Sequence, residues 1–284
     1  MIGRTLWMWL GIASLIACAL AVVAFIVLLL FDMAEEGVSV LSWEFIAGFP
    51  RQGMTQGGIW PAIFGTTVVT LLATLLAAPL GVACAVWLEE YAGEGLLTQL
   101  TRAAVRNLAG VPSIVYGLFG LAIFVEGMRM GASILASACT LALLTLPSVI
   151  ATAEEALRQV PRAMREGALA LGATRWETTY SVVLPAALPG ILTGVVLALS
   201  RAAGETAPIL LTGVAFYTRY LPASPFDEFM ALPYHLYILS TQHHAPDLVR
   251  PLAYGTAIVL LLLVFLLNVI AFTLRARYRQ KKHY

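Results

Sequence analysis

Residues 165–208 read REGALALGATRWETTYSVVLPAALPGILTGVVLALSRAAGETAP, and this stretch decides the fold. Its first half is polar and amphipathic, although long apolar runs lie on both sides of it. Its second half is apolar but contains Arg201 and Glu205, whereas a membrane helix rarely carries charge. A polar loop joined to a charged membrane helix indicates a protein that couples an event outside the bilayer to passage across it.

The composition places the whole chain in a membrane. Hydrophobic residues make up 60% of the sequence and charged residues 12%, and the mean hydropathy is +0.86. A soluble domain of this length needs more polar surface than these residues supply. The fold class is therefore an all-α polytopic membrane protein. The net charge of +1 gives no basic footprint for nucleic acid.

Apolar runs long enough to cross about 30 Å of hydrocarbon predict the membrane helices. Six transmembrane helices are expected, at residues 7–31, 61–88, 105–125, 132–153, 184–211 and 253–274. The longer polar connections are residues 32–60, residues 213–252 and a docking loop at residues 154–182.

The distribution of lysine and arginine predicts the orientation. With six spans, both termini and the docking loop share one side. That side receives twelve Lys or Arg residues and the other side four, with Arg201 inside the membrane. The richer side carries Arg4, Arg102, Arg106, Arg158, Arg162, Arg165, Arg175, Arg275, Arg277, Arg279, Lys281 and Lys282. Both termini are therefore expected in the cytoplasm.

The docking loop carries the signals of two short helices. Pro161 suits a first helical position, and Gly172 suits a left-handed stop after about three turns. Thr174 and Glu177 fit a capping box that starts a second helix. Two interpretations stay open on the pattern alone. The loop is a knob that inserts into a groove of a cytoplasmic partner, or an amphipathic segment that rests on lipid headgroups.

Arg201 and Glu205 are four residues apart, so a continuous helix would place them on one face. An arginine at the bilayer centre costs roughly 2.5–3.5 kcal/mol on insertion scales, so it should face the bundle interior or a water-filled path. One interpretation is a structural ion pair that locks the bundle. The other is a weak, transient contact for an anion, with Glu205 favouring release.

The remaining reactive groups are interpreted as structural. The adjacent pairs Glu89-Glu90 and Glu154-Glu155 are expected to be polar residues at headgroup level, and Cys18, Cys84 and Cys139 small core residues. His243-His244 lacks a carboxylate or cysteine frame, so no metal site is expected. No Gly-x4-Gly-Lys-Ser/Thr phosphate cradle occurs, so this chain is not an ATPase. We expect no catalytic residue and no cofactor in the chain itself.

The docking loop resembles the EAA loop of bacterial ABC importer permeases. That pattern is Glu-Ala-Ala, three residues, Gly, nine residues, then Ile-x-Leu-Pro. The matching positions are Glu166, Gly167, Ala168, Gly172, Val182, Leu184 and Pro185. Gly167 and Val182 depart from the pattern, but the spacing is intact. The resemblance implies that this loop docks on an ATP-hydrolysing subunit.

A narrower resemblance covers most of residues 57–275. SRAAGETAPILLTG at 200–213 is similar to the signature of phosphate ABC permeases of the A-type (PstA) family. Matching segments are GGIWPAIFGT at 57–66, APLGVACAVWLEEYA at 78–92, GVPSIVYGLF at 110–119 and ALPYHLYIL at 231–239. The resemblance implies a role in phosphate passage for Arg201, with Glu205 and Thr206 beside it.

The resemblance also implies an organisation and a set of partners. Residues 1–60 would form the first helix and an external loop, 61–276 a five-helix permease core of the type I importer fold with its coupling loop at 154–185, and 277–284 a basic cytoplasmic tail. The implied partners are a C-type permease in a heterodimer, two ATPase subunits that bind Mg-ATP, and an external phosphate-binding protein that contacts loops 32–60 and 213–252. The implied location is the bacterial cytoplasmic (inner) membrane.

Three other functions stay open. A permease for another oxyanion, such as sulfate or molybdate, would have a similar docking loop. A membrane enzyme could use Glu205 as an acid or base, but no second convergent group is evident. A sensory or structural subunit is compatible with transport.

Overall fold

A computed structural model of the chain describes residues 2–280. Lys281 and Lys282 of the expected tail lie outside the described residues. The longer helices are α1 (Ile2–Gly37), α3 (Trp60–Val86), α4 (Leu96–Ala109), α5 (Ser113–Gly120), α6 (Ile134–Arg158), α7 (Arg162–Ala170), α9 (Leu184–Gly204), α11 (Leu232–Thr241) and α12 (Pro246–Gln280). The shorter ones are α2 (Trp43–Ala47), α8 (Arg175–Thr178) and α10 (Ala207–Leu210). An antiparallel pair, β1 (Pro50–Arg51) and β2 (Gln56–Gly57), follows α2.

Short stretches of other helix types join or extend these elements. Single 3₁₀ turns occupy Val38–Val40 and Gln52–Met54. π-helical turns extend α3 at Trp87–Tyr91, extend α5 at Leu121–Gly127 and precede α9 at Thr179–Val183.

The predicted membrane-spanning architecture is confirmed. Five helical segments of the described chain are long and apolar enough to cross a bilayer, namely Met8–Val40, Trp60–Tyr91, Ile134–Arg158, Arg175–Gly204 and Pro246–Thr273. A bent pair formed by α4 and α5, with its π-helical extension, makes a sixth. The spans run in alternating directions, so the docking loop lies at one end of the bundle. Residues 38–59 and 211–245 lie at the opposite end, which we call the far end.

The third span, predicted at 105–125, is present as the bent pair, but it is interrupted and not one continuous helix. The chain turns by 106° between α4 and α5. Pro112 lacks an N–H and restricts the preceding Val111 to extended conformations, so α4 ends before them at Ala109.

The prediction that the fifth span continues to Leu211 was wrong. The helix ends at Gly204, and Glu205 adopts an extended conformation with φ −75° and ψ 130°. In a continuous helix the N–H of residue 208 would bond to the carbonyl of Gly204, but Pro208 has no N–H. The short α10 then resumes at Ala207.

The two far-end loops contain more structure than expected. Residues 213–252 include α11 and the start of α12. Val214 and Phe229 form a bridge, and the hydroxyl of Thr66 accepts a 2.8 Å hydrogen bond from the N–H of Leu232. Tyr217 of the same loop donates a 2.9 Å hydrogen bond to the carbonyl of Pro50 in the other loop. These bonds tie the far-end loops into one cap over the bundle.

The described core consists of three apolar clusters along the bundle axis. The far-end cluster includes Phe45, Ile59, Leu232, Ile238 and Val249. The middle cluster includes Val69, Tyr116, Leu141, Ile209 and Phe229. The docking-loop cluster includes Leu88, Ile150, Leu157, Val183 and Ile191.

Helix α1 is peripheral. Its most apolar window is 0% buried, and it contacts the rest of the described chain mainly through α12. Asp32 accepts a 2.9 Å hydrogen bond from Tyr254, and Glu36 pairs with Arg250 at 2.8 Å. The expectation that Cys18 is a core residue was therefore wrong, because it is exposed on this helix, whereas Cys84 and Cys139 are half-buried.

The buried His235 of α11 should make the chain sensitive to acid. Its Nδ1 has no hydrogen-bond partner, and the adjacent cavity of about 10 Å³ is lined by no acidic or basic side chain besides His235. Burial lowers the pKa of His235 from 6.5 to about 4. The unfolded chain therefore binds the proton more tightly, so this stability is present above pH 6.5 and is lost as the pH falls towards 4.

We expect the thermal unfolding temperature of the native chain to fall as the pH is lowered from 6.5 towards 4. In the His235→Gln variant, the unfolding temperature should change less over the same pH interval. The native chain should lose up to about 3 kcal/mol of unfolding free energy through this group. The exposed His244 provides the control, since His244→Gln should keep the native profile. Parallel profiles for native chain and His235→Gln would contradict the assignment.

Candidate functional site

The docking loop forms the predicted first helix, turn and capping box, but the prediction of a separate second short helix was wrong, because α8 continues through the π-helical turn into α9 as one segment, Arg175–Gly204. Helix α7 ends at Ala170, and Gly172 adopts the left-handed conformation with φ +87°. The side chain of Thr174 accepts a hydrogen bond from the N–H of Glu177, whose carboxylate accepts one in return, and this capping box starts α8. Pro161 is a small difference, because it precedes the first helical residue and does not occupy it.

The docking loop exposes more apolar surface than is expected for a loop that contacts only water. Leu171, beside the Gly172 turn, is 91% exposed. Trp176 and Tyr180 are mostly exposed and stack with ring centroids 6.2 Å apart. Glu166 and Gly167 are exposed, and Ala168 is half-buried. Contiguous exposed aromatic and aliphatic side chains are typical of a protein contact or a membrane surface.

Arg165, the residue before Glu166, points away from this surface into the bundle. Its Nη2 lies 2.7 Å from Oε1 of Glu90, and its Nε donates to both Glu90 oxygens. It also donates to the main-chain carbonyls of Leu157 and Val160 at the end of α6. The side chains of Arg165 and Glu90 are only 19% and 11% exposed. Arg165 thus fastens α7 to the ends of the α3 and α6 spans.

A second ionic group lies beside it. Arg102 of α4 and Arg158 of α6 each contact both Glu89 and Glu154, at distances of 3.0–3.7 Å. Glu89, Glu90 and Glu154 are the acidic residues of a network that joins α3, α4, α6 and α7, and Glu155 accepts a 3.1 Å hydrogen bond from Gln159. The network lies at the docking-loop end of the spans, and the expectation that these residues lie at headgroup level stays a prediction.

Arg201 lies in the last turn of α9 and Glu205 immediately after it. The sequence predicted that the two share a helix face, but Glu205 lies outside the helix. The side chains nevertheless remain in contact, with Arg201 Nε 3.4 Å from Oε1 of Glu205. Arg201 is 46% exposed and Glu205 18%, while Ala202 and Ala203 are buried. Thr206 is half-buried in the break before α10.

Close contacts between α9 and α6 set the depth of Arg201. A Cβ on Gly190 would meet Ala156, and one on Gly194 would meet Thr152. These contacts define an antiparallel register, and its continuation brings Arg201 level with Thr145. Thr145 lies near the middle of α6, which spans residues 134–158. The break after Arg201 therefore lies near the middle of the bundle.

The break between α4 and α5 faces the same region. Helix α5 approaches α10 closely at Gly117, where a Cβ would lie 3.1 Å from the Ala207 carbonyl oxygen and the Pro208 Cα. Tyr116 donates a 2.8 Å hydrogen bond to the carbonyl of Leu108 across the bend. Two interrupted spans and one arginine thus meet at mid-depth.

Interrupted helices at this depth have a known physical consequence. Unpaired backbone groups are tolerated inside a membrane only where protein buries them or where they border a water-filled cavity. Arg201 faces outward from this chain, and lipid would be a costly neighbour for its charge. The Arg201 face must therefore be covered by protein or water. The structural interpretation of the ion pair alone does not explain this exposure.

Sequence reasoning missed several residues that complete the site. Ser200 and Asn268 form a 2.5 Å hydrogen bond that fixes α9 to α12 one residue before Arg201. Asn268 in an otherwise apolar run was the available signal. Glu90 had no signal beyond its residue type, because its partner Arg165 is 75 residues away in sequence. In the described chain no cluster of three metal-ligating side chains occurs, and His243 contacts the carbonyl of Gly53 at 3.0 Å.

Comparison with known proteins identifies the family. A family profile described as "Binding-protein-dependent transport system inner membrane component" matches residues 77–283, which is most of the chain. The chain belongs to this family. This chain is thus a permease of the ABC importer class, and the family resemblance read from its sequence is confirmed.

Curated relatives match most of this chain in sequence. It is 34% identical over 265 residues to a probable ABC transporter permease protein YqgI of Bacillus subtilis, covering 89% of this chain and 90% of that protein. It is 38% identical over 220 residues to phosphate transport system permease protein PstA 1 of Mycobacterium tuberculosis, covering 77% of this chain and 71% of that protein.

A solved structure supports the fold. The chain superposes on a bacterial alginate ABC transporter, solved with an alginate pentasaccharide-bound periplasmic protein, with a TM-score of 0.69 and 15% identity. The match covers 93% of this chain and 92% of that chain. At this identity the likeness concerns the fold alone.

Proposed function

We propose that this permease is the A-type subunit of an ATP-driven phosphate importer and forms half of the path. The observation that carries the proposal is Arg201, half-exposed beside Glu205 where α9 stops near mid-depth. The GETAP segment and relatives named as phosphate transport permeases support phosphate as the substrate. A C-type permease would cover the exposed Arg201 face and supply the other half of the path.

The pair of Arg201 and Glu205 suits a site that binds an anion weakly and releases it better than a site that holds it tightly. The guanidinium of Arg201 has donors that match the oxygens of an oxyanion, while the nearby Glu205 carboxylate repels the same anion. A phosphate ion would therefore bind weakly and leave readily. Thr206 offers a hydroxyl in the break, close to the path. Weak binding is required for rapid passage through a pathway, as in ion conduction.

The docking loop would transmit the action of the ATPases. Two ATPase subunits, which bind Mg-ATP, would contact the coupling loop 154–185 in the cytoplasm, and an external phosphate-binding protein would contact the far-end cap. Leu171, Trp176 and Tyr180 form the apolar surface for an ATPase groove. Leu184 and Pro185 begin α9 directly after the loop, so a displacement of α7 and α8 would reach the helix that carries Arg201. Both termini would be cytoplasmic, in the bacterial inner membrane.

Radiolabelled phosphate uptake tests this function. A strain that lacks the chain should regain uptake when the gene is restored, and excess arsenate should compete while sulfate should not. Competition by sulfate or molybdate without competition by arsenate would instead support a permease for another oxyanion. If the restored gene recovers the cell's response to phosphate supply but no phosphate uptake, a sensory subunit would be favoured.

The Gly172→Leu variant tests ATPase docking. A left-handed residue with a side chain costs about 1–2 kcal/mol, and no atom lies within 4 Å of the position that a Cβ would take. The substitution should therefore distort the turn by its backbone conformation, not by a clash, and weaken co-purification of the ATPase subunits.

Gly167→Ala is the matched control, because a Cβ there also meets no atom and the backbone is helical. It should leave ATPase association intact or strengthen α7 slightly. Unchanged association of Gly172→Leu would favour the lipid-surface interpretation of the loop.

A further inference from the structure

A groove of about 440 Å³ lies at the far end of the bundle, between α1, α11 and α12. Its position is remote from Arg201 and from the docking loop. Leu236 and Leu239 of α11 and Met33 of α1 supply apolar walls, and Asp247 and Arg250 of α12 supply opposite charges. The groove borders the far-end loops that the proposed function assigns to an external phosphate-binding protein, but the inference below does not depend on phosphate transport.

The polarity of the groove changes along its length. Its α12 side carries Asp247 and Arg250 in the first turns of the helix, and Ala253 and Ala257 further into the span. The rise of an α-helix separates Asp247 from Ala257 by roughly 15 Å. A ligand that fits this order has a charged end at the membrane surface and an apolar portion directed into the hydrocarbon region.

The charges at the polar end define the headgroup. Arg250 is 57% exposed, and its Nη2 pairs with Glu36 at 2.8 Å. A guanidinium has five N–H donors, so donors remain for a second anion. Asp247 is exposed, and no lysine, arginine or histidine of the described residues forms an ion pair with it. The groove thus presents a cation that is partly neutralised and a carboxylate that is free of ion pairing.

We propose that this groove binds a zwitterionic phospholipid with a primary ammonium headgroup, namely phosphatidylethanolamine. The phosphate would accept hydrogen bonds from Arg250, and the ammonium would donate to Asp247. One acyl chain would lie along Met33, Leu236 and Ala257. Phosphatidylglycerol offers no cation for Asp247, and the quaternary ammonium of phosphatidylcholine has no N–H to donate.

Native mass spectrometry of the purified full chain in detergent tests the site. The chain is titrated with phosphatidylethanolamine, phosphatidylcholine or phosphatidylglycerol of identical acyl chains, and the retained adducts are compared. We expect phosphatidylethanolamine to be retained roughly fivefold better than either competitor. This is the difference in affinity that one partly exposed ion pair, here between the ammonium and Asp247, would produce. Equal retention of the three lipids would overturn the proposal, because it indicates non-selective contact.

Two variants and a control locate the site. Asp247→Asn should remove the preference for phosphatidylethanolamine over phosphatidylcholine, and Arg250→Gln should reduce retention of all three lipids. Glu44→Gln, which changes an exposed carboxylate outside the groove, should keep the native preference. Native selectivity in Asp247→Asn would overturn the proposal. So would efficient cross-linking of an Ala257→Cys variant to a protein partner in membranes, since a protein would then occupy the groove.

Discussion

Replacing Arg201 with glutamine should reduce phosphate uptake to background while the importer still assembles. The variant loses the cation that meets the anion, and the nearby carboxylate of Glu205 then dominates the region. A charge-assisted hydrogen bond of roughly 1.5–3 kcal/mol corresponds to about 10- to 100-fold in rate, and the unopposed Glu205 adds repulsion. Initial uptake rates and co-purification of the partner subunits measure the two effects separately.

Arg201 is well suited to this experiment because its side chain is only half-buried. Its removal leaves no cavity in the described core, and Ala202 and Ala203 continue to pack on their buried face. Arg129→Gln is the control, since Arg129 is an exposed arginine outside the membrane spans. Normal uptake by Arg201→Gln would defeat the pathway assignment, whereas loss of assembly would show that the ion pair is structural.

Replacing Arg165 with glutamine should uncouple ATP hydrolysis from uptake. Arg165 links α7 to Glu90 after α3 and to two carbonyls at the end of α6. Its loss leaves the mostly buried Glu90 carboxylate without a partner, a change that typically costs about 3–5 kcal/mol. We expect a lower unfolding temperature and a large fall in uptake, while the reconstituted ATPases continue to hydrolyse ATP.

A double variant separates stability from coupling. Glu90→Gln with Arg165→Gln removes both charges, so it should recover much of the unfolding temperature but little of the uptake, because α7 remains detached from α3. The exposed Arg162 lies on the same helix, and Arg162→Gln should keep native stability. If the double variant transports normally, the ion pair between Arg165 and Glu90 is not needed to transmit movement from α7 to α3, and its role is only structural.

Much of the fold was predictable because its signals are local. Hydropathy located the spans, and a capping box at Thr174 and a left-handed Gly172 need only neighbouring residues to form. The break at Pro112 also had a local signal. It was missed because apolar runs on both sides suggested a continuous helix, and hydropathy does not register a missing backbone hydrogen bond.

The site was only partly predictable. Arg201 and Glu205 were identified from the cost of charge in a membrane, which is a property of single residues. Their depth and exposure depend on helix register, which is set by glycine contacts such as Gly194 against Thr152. The pairing of Arg165 with Glu90 joins residues 75 positions apart, and no local pattern indicates it.

The interruption of α9 has a consequence for biogenesis. A segment that carries Arg201 and stops near mid-depth inserts less readily than an uninterrupted apolar span. The helices α3 and α6, which form most of its packing surface, precede it in the chain and would already be in the membrane when it leaves the ribosome. The order of synthesis therefore provides a folded template on which the charged segment can settle.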